Sequence, residues 1–238
     1  MIVVDSLTKR FGTTLALDEL SFTARPGRVT ALLGPNGAGK TTALRILLGL
    51  ARPTSGAATF DGVRYADLER PLGTTGAVVE ESTFHPGRTA RTHLRALALA
   101  AGLPPDRPEE VLALVELTGV ADRRVRHYSL GMRQRLSIAA ALLGDPTHLV
   151  LDEPQNGLDP RGNRWLRGLL RTLAAEGRTV LVSSHLLAEM AEIADEVVVV
   201  AGGRLVRQAG LAELTAGRSG LEDVFLQLTD DVEGEVAQ

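Results

Sequence analysis

The sequence of 238 residues contains no cysteine, which excludes disulfides and thiolate metal sites. A reducing interior suits such a chain. No apolar run approaches the roughly 20 residues that span a bilayer; the longest candidates, 94–103 and 196–202, are short. Any membrane channel this protein serves is therefore expected to be another polypeptide. The first residues, MIVVDSLTKRF, place their basic groups after the apolar stretch and have no small-residue cleavage site, so they read as a strand rather than a signal peptide. Charge of one sign is also missing: the net charge of −3 gives no global pull toward nucleic acid. Among 26 Lys and Arg residues only Lys9 and Lys40 are lysine, which gives a lysine at a critical spacing added weight.

What is present is enough for a core. Hydrophobic residues make up 44% and charged residues 23%, and the length suits one α/β domain with a smaller attached lobe. Apolar runs bounded by turn residues predict strands at 1–4, 29–33, 76–79, 149–151, 179–183 and 196–201. Helical patterns lie at 40–50, 89–101, 109–117, 130–143, 160–176 and 186–194. Strands that alternate with helices predict a parallel sheet covered on both faces. From 84 to 144 only helical signals occur, which predicts an inserted helical lobe. The division expected is an α/β core at 1–83 and 145–215, a helical subdomain at 84–144, and a C-terminal helix with an acidic tail at 216–238. The last ten residues are acidic and poor in large apolar groups, so fraying is expected there.

Gly34-Pro35-Asn36-Gly37-Ala38-Gly39-Lys40-Thr41-Thr42 fits the phosphate-loop pattern GxxxxGK[ST] between a strand and a helix. Its glycines let backbone N–H groups turn toward phosphate oxygens, and the helix N-terminus adds partial positive charge. Lys40 is expected to reach the β- and γ-phosphates, with the Thr41 hydroxyl on Mg²⁺. The run 148–153 is apolar and ends in the two carboxylates Asp152-Glu153. On a strand beside the phosphate loop, Asp152 would hold Mg²⁺ through water and Glu153 would orient or deprotonate the attacking water. Taken alone, the pair reads more simply as polar turn residues that cap a strand; the phosphate loop upstream favours the metal and water roles.

Tyr128-Ser129-Leu130-Gly131-Met132-Arg133-Gln134-Arg135-Leu136 resembles the signature of ATP-binding cassette proteins, usually written LSGGQ. Ser129 and Gly131 are retained, Leu130 stands for the first family glycine, and Met132 for the glutamine. A serine hydroxyl and an unobstructed N–H at a helix N-terminus suit an anion; an ordinary N-cap serine is the plainer reading. Gln155-Asn156-Gly157-Leu158-Asp159-Pro160 resembles the family's D-loop, with Asp159 facing a second subunit. Ser183-Ser184-His185 resembles the switch-histidine segment, where His185 would contact the γ-phosphate.

The resemblance implies a P-loop NTPase (RecA-like) core with a mainly parallel sheet, an N-terminal antiparallel β subdomain and the inserted helical lobe. It implies ATP and Mg²⁺, and ATP hydrolysis coupled to transport. Phe11 falls where the family carries an aromatic platform for adenine, with core packing as the alternative. Glu80 occupies the position of the Q-loop glutamine and is either an Mg²⁺-sensing ligand or an exposed loop acid. The stretch 84–94 and the segment Leu221-Glu222-Asp223-Val224-Phe225 resemble drug- and antibiotic-export cassettes. Continued to Thr229, the latter segment has apolar residues at i, i+3, i+4 and i+7, an amphipathic helix that either packs on its own domain or meets a partner. One chain carries one phosphate loop and one signature, so the resemblance implies a homodimer or paralogous heterodimer. It also implies separate transmembrane permease subunits, a peripheral place on the cytoplasmic face of the membrane, and no nucleic-acid partner.

Overall fold

The computed structural model describes residues 1–79, 84–217 and 220–236. In chain order β1 (Ile2–Phe11), β2 (Thr14–Ala24) and β3 (Arg28–Leu33) precede α1 (Lys40–Leu47), β4 (Ser55–Phe60), α2 (Pro71–Thr74) and β5 (Thr75–Val78). Then come α3 (Ala90–Ala100), α4 (Arg107–Leu114), α5 (Leu130–Leu142), β6 (His148–Asp152), α6 (Pro160–Ala175) and β7 (Thr179–Ser184). The chain closes with α7 (Leu187–Ala191), β8 (Glu196–Ala201), β9 (Arg204–Gly210), α8 (Leu211–Thr215) and α9 (Leu221–Val236).

A period of two decides what each strand buries. In β3, Val29, Ala31 and Leu33 face one apolar cluster while Leu32 faces another. Leu149 and Leu151 of β6 take the first face, and Val150 the second. These strands are buried on both faces, which is why they read as continuous apolar runs. Their sheet has the order β5-β6-β7-β3-β8-β9. All its pairings are parallel except β8 with β9. Beneath the second face lie α1 and a separate antiparallel sheet of order β2-β1-β4. The first face is covered by α3 to α6, whose buried residues form one continuous cluster with it.

Three differences from the sequence reading have physical causes. β1 extends to Phe11, past the apolar run at 1–4, because its outer half is exposed and polar. β2, β4 and β9 carried no long apolar run; each buries alternate or small residues at a sheet edge. α9 continues through Val236, beyond the expected fraying point. Its first turns are anchored by Leu221 and Val224, and once nucleated a helix propagates cheaply.

One contact joins α5, α4 and α6. The Arg135 guanidinium stacks 4.1 Å from the Trp165 ring centroid and donates to Val115 O at 2.9 Å. Trp165 Nε1 donates to Leu114 O at 3.3 Å. Cation–π stacking adds roughly 0.5–2 kcal/mol to such a seam.

Candidate functional site

The loop from β3 to α1 is built around close backbone approaches. A Cβ on Gly34 would lie 2.2 Å from Val200 O, and one on Gly39 would lie 2.7 Å from Ala16 O. Gly39 also takes φ 99°, a region that side chains rarely enter. Ala16 belongs to β2, so the antiparallel sheet is pressed against the loop. Lys40 is buried, and its Nζ donates to Gly34 O at 2.6 Å and Pro35 O at 3.1 Å. Burial lowers its pKa from the ordinary value, opposed by the Glu153 and Asp152 carboxylates nearby.

Those carboxylates come from the end of β6. The sequence reading set that strand beside the phosphate loop, but β7 lies between β3 and β6. The gap is bridged from the helix side. Thr41 Oγ1 donates to Asp152 Oδ2 at 2.8 Å, and the Ser183 hydroxyl on β7 donates to Asp152 Oδ1. Glu153 follows with φ 48°, a left-handed conformation that a non-glycine residue holds only when its surroundings enforce it. Its N–H donates to Ser183 O and Ser183 Oγ, both at 3.2 Å. Its Oε2 lies 2.8 Å from His185 Nδ1 and accepts from Gln155 Nε2 at 3.0 Å. Lys40, Thr41, Asp152, Glu153 and His185 thus share one end of the parallel sheet, where ligands of open α/β sheets bind.

Among the described residues, the expected metal ligands that meet here are the Thr41 hydroxyl and the Asp152 carboxylate. That set suits a hard cation that keeps waters and takes phosphate oxygens, as Mg²⁺ does.

Ser129 and Asp159 are both helix N-caps. Ser129 Oγ accepts from Met132 N at 3.2 Å, a role that does not use its hydroxyl proton. Asp159 Oδ1 accepts from Gly162 N at 2.7 Å. Ser129, Leu130, Gly131 and Met132 line a cavity of about 650 Å³ whose walls also include Gly157, Leu158 and Asp159. No phosphate-loop residue contributes to that cavity. Gly157 has φ 79°, and a Cβ there would lie 2.3 Å from Leu130 Cγ. Leu130, in place of the first signature glycine, therefore lies directly over the D-loop-like turn.

Phe11 is 53% exposed, which removes the core-packing alternative; Lys9 Nζ sits 4.7 Å from its ring centroid. Glu80 lies outside the described residues. Sequence reasoning named Ser183 and Gln155 inside motifs but gave them no task. The signal it passed over was polar side chains in an otherwise apolar neighbourhood: Ser183, Ser184 and Gln155 are all buried.

The family model described as ABC transporter matches residues 17–156. The chain belongs to the ABC transporter family. It is an ATP-binding subunit of that family, and an ATPase. It is 35% identical over 225 residues to a lantibiotic transport ATP-binding protein, SrtF, of Streptococcus pyogenes, covering 94% of this chain and 96% of that one. Bacitracin transport ATP-binding protein BcrA of Enterococcus faecalis is 39% identical over 217 residues, 90% of this chain and 70% of that one. Among solved structures, an ATP-binding subunit of an ABC transporter superposes with TM-score 0.86 at 28% identity, over 96% of this chain and 99% of that one. A dimeric ATP-binding cassette in a post-hydrolysis state, bound to ADP and Pi, gives TM-score 0.79 at 25% identity, over 88% and 98%. These likenesses match the drug- and antibiotic-export branch of the family.

Proposed function

We propose that this subunit powers an exporter by closing, ATP-bound, onto a second copy or a paralogue. One observation supports this above the rest. The phosphate-loop lysine, Asp152, Glu153 and His185 gather at one end of the sheet, while the Ser129 helix opens onto a different cavity. A site that needs both halves is completed by taking the serine-capped helix from another chain.

In this reading Gly34 to Gly39 turn N–H groups onto the phosphates, Lys40 exchanges its carbonyl partners for β- and γ-phosphate oxygens, and Thr42 extends the helix start. Phe11 supports adenine. Thr41, and Asp152 through water, would hold Mg²⁺, which supplies positive charge against the triphosphate. Glu153 orients and deprotonates water for attack on the γ-phosphate, and His185 steadies that phosphate. Ser129 and Gly131 of the facing chain donate to the same phosphate, and Asp159 meets the facing chain beside it. ATP favours closure because the γ-phosphate gives the closed form contacts that ADP cannot. Separate permease subunits at the cytoplasmic membrane face would receive that movement. Export of an antibiotic-like peptide is the cargo class suggested by SrtF and BcrA, whose names refer to lantibiotic and bacitracin transport.

Glu153→Gln tests the reading. Loss of the base lowers turnover about 10²–10⁴-fold while ATP binding persists, so sedimentation should record a monomer that becomes a dimer with Mg²⁺-ATP. Ser129→Arg in that background should remain monomeric. ATP binding with no change in mass, or turnover at the unsubstituted rate, would overturn it.

A further inference from the structure

We propose that Gln155 is a positioning residue for Glu153, holding one carboxylate oxygen so that the other faces the attacking water. The inference rests on the reading of Glu153 as the base. Gln155 is 5% exposed and sits in the turn just after Glu153. Its Nε2 donates to Glu153 Oε2 at 3.0 Å and also to the Ser184 hydroxyl. Ser184 Oγ is itself fixed by Leu186 N at 2.9 Å, so the amide is anchored to the end of β7. His185 Nδ1 meets the same Oε2 at 2.8 Å.

Two nitrogen partners thus meet on Oε2, and the carboxylate plane is set by both. Oε1 is the oxygen left for proton abstraction. The orientation of the amide follows from charge: reversing it would put its oxygen against a carboxylate. With the nitrogen so used, Gln155 Oε1 is buried with no hydrogen-bond partner among the described residues. An amide oxygen buried unpaired is unfavourable, and a smaller or apolar residue would avoid it. The turn retains the amide where its nitrogen grips Glu153. The backbone of Glu153, at φ 48°, is the kind of strained geometry that needs such support.

Gln155→Met keeps the volume and removes both donations. The expected result is a kcat reduced about 10–100-fold by loss of alignment, with KM for ATP changed less than about twofold, since Gln155 binds no part of the nucleotide in this reading. In the Glu153→Gln background the same substitution should leave the residual single-turnover rate unchanged, because a residue that acts through the base has nothing left to position. Ser184→Ala, which removes the other anchor, should lower kcat in the same direction and serves as a second variant should Gln155→Met fail to fold. Wild-type kcat in Gln155→Met overturns the proposal, as does wild-type kcat in Ser184→Ala where Gln155→Met does not fold. So does a loss carried by KM or by ATP-dependent dimerisation, or a further loss in the Glu153→Gln background. If Glu153→Gln itself turns over normally, the reading beneath the proposal falls and the proposal with it; if Glu153→Gln is inactive and Gln155→Met is not impaired, only the proposal falls.

Discussion

Lys40 shows how much one side chain is asked to do. Its ammonium is buried, bonded to two loop carbonyls, and placed within the field of two carboxylates. A charged group exchanged between such partners and phosphate contributes about 1.5–3 kcal/mol per hydrogen bond. Lys40→Ala should therefore weaken ATP binding about 10–100-fold in a calorimetric titration with Mg²⁺-ATP, without unfolding the loop that Gly34 and Gly39 shape. At this scale the sequence was legible where chemistry repeats at fixed spacing. Lys40, Thr41 and Asp152 were found from pattern, and the Thr41–Asp152 bond brings them together. Gln155 and Ser183 were not found, because a buried polar residue announces itself only through its neighbours, and those arrive from a strand roughly 30 residues away.

Strands and helices carry a second set of consequences. The apolar strands were read correctly because burial on both faces leaves an unbroken run. β2 and β4 were missed as strands because half of each faces outward, so their signal was alternation rather than hydrophobicity. β6 begins with His148, whose ring is buried, edge-on to Phe60 at 5.3 Å between centroids. Its Nδ1 lies 3.0 Å from Thr74 O and 2.9 Å from Thr147 Oγ1; its Nε2 faces the Met1 amine at 2.9 Å and Asp61 at 3.3 Å. Burial is the main reason its pKa falls below the ordinary 6.5, against the raising influence of the Thr74 carbonyl and Asp61. The unfolded chain then binds more protons between the folded value and 6.5, so stability is complete above that window and declines as pH falls through it. His148→Gln should flatten this slope by up to about one proton; urea unfolding at pH 7.5 and at stepwise lower pH reads it directly. His93 is lowered by burial and by Arg88, so some slope should persist in the variant.

For the whole molecule, no helix among the described residues is long and apolar enough to cross a membrane. In the proposed assembly, attachment to a membrane comes from a permease. Expressed with that permease, the chain should sediment with membranes and wash off in chaotropic salt; expressed alone, it should stay in the supernatant. Retention without the permease would argue against a borrowed anchor. The antibiotic-export resemblance was legible in 84–94 and 221–225, yet cargo was not, since in the proposed assembly the residues read from the sequence serve nucleotide and permease rather than the transported molecule. The seam at Arg135 has a practical outcome. Trp165 is the single tryptophan of the chain, and it lies under a guanidinium on the signature helix while its indole N–H holds the end of α4. In the proposed assembly, a nucleotide that separates α5 from α6 would change the polarity around that indole, so tryptophan emission becomes a label-free gauge of the contact. A titration with Mg²⁺-ATP that shifts the emission in Glu153→Gln, and loses the shift in Arg135→Ala, would read the proposed closure without any dye.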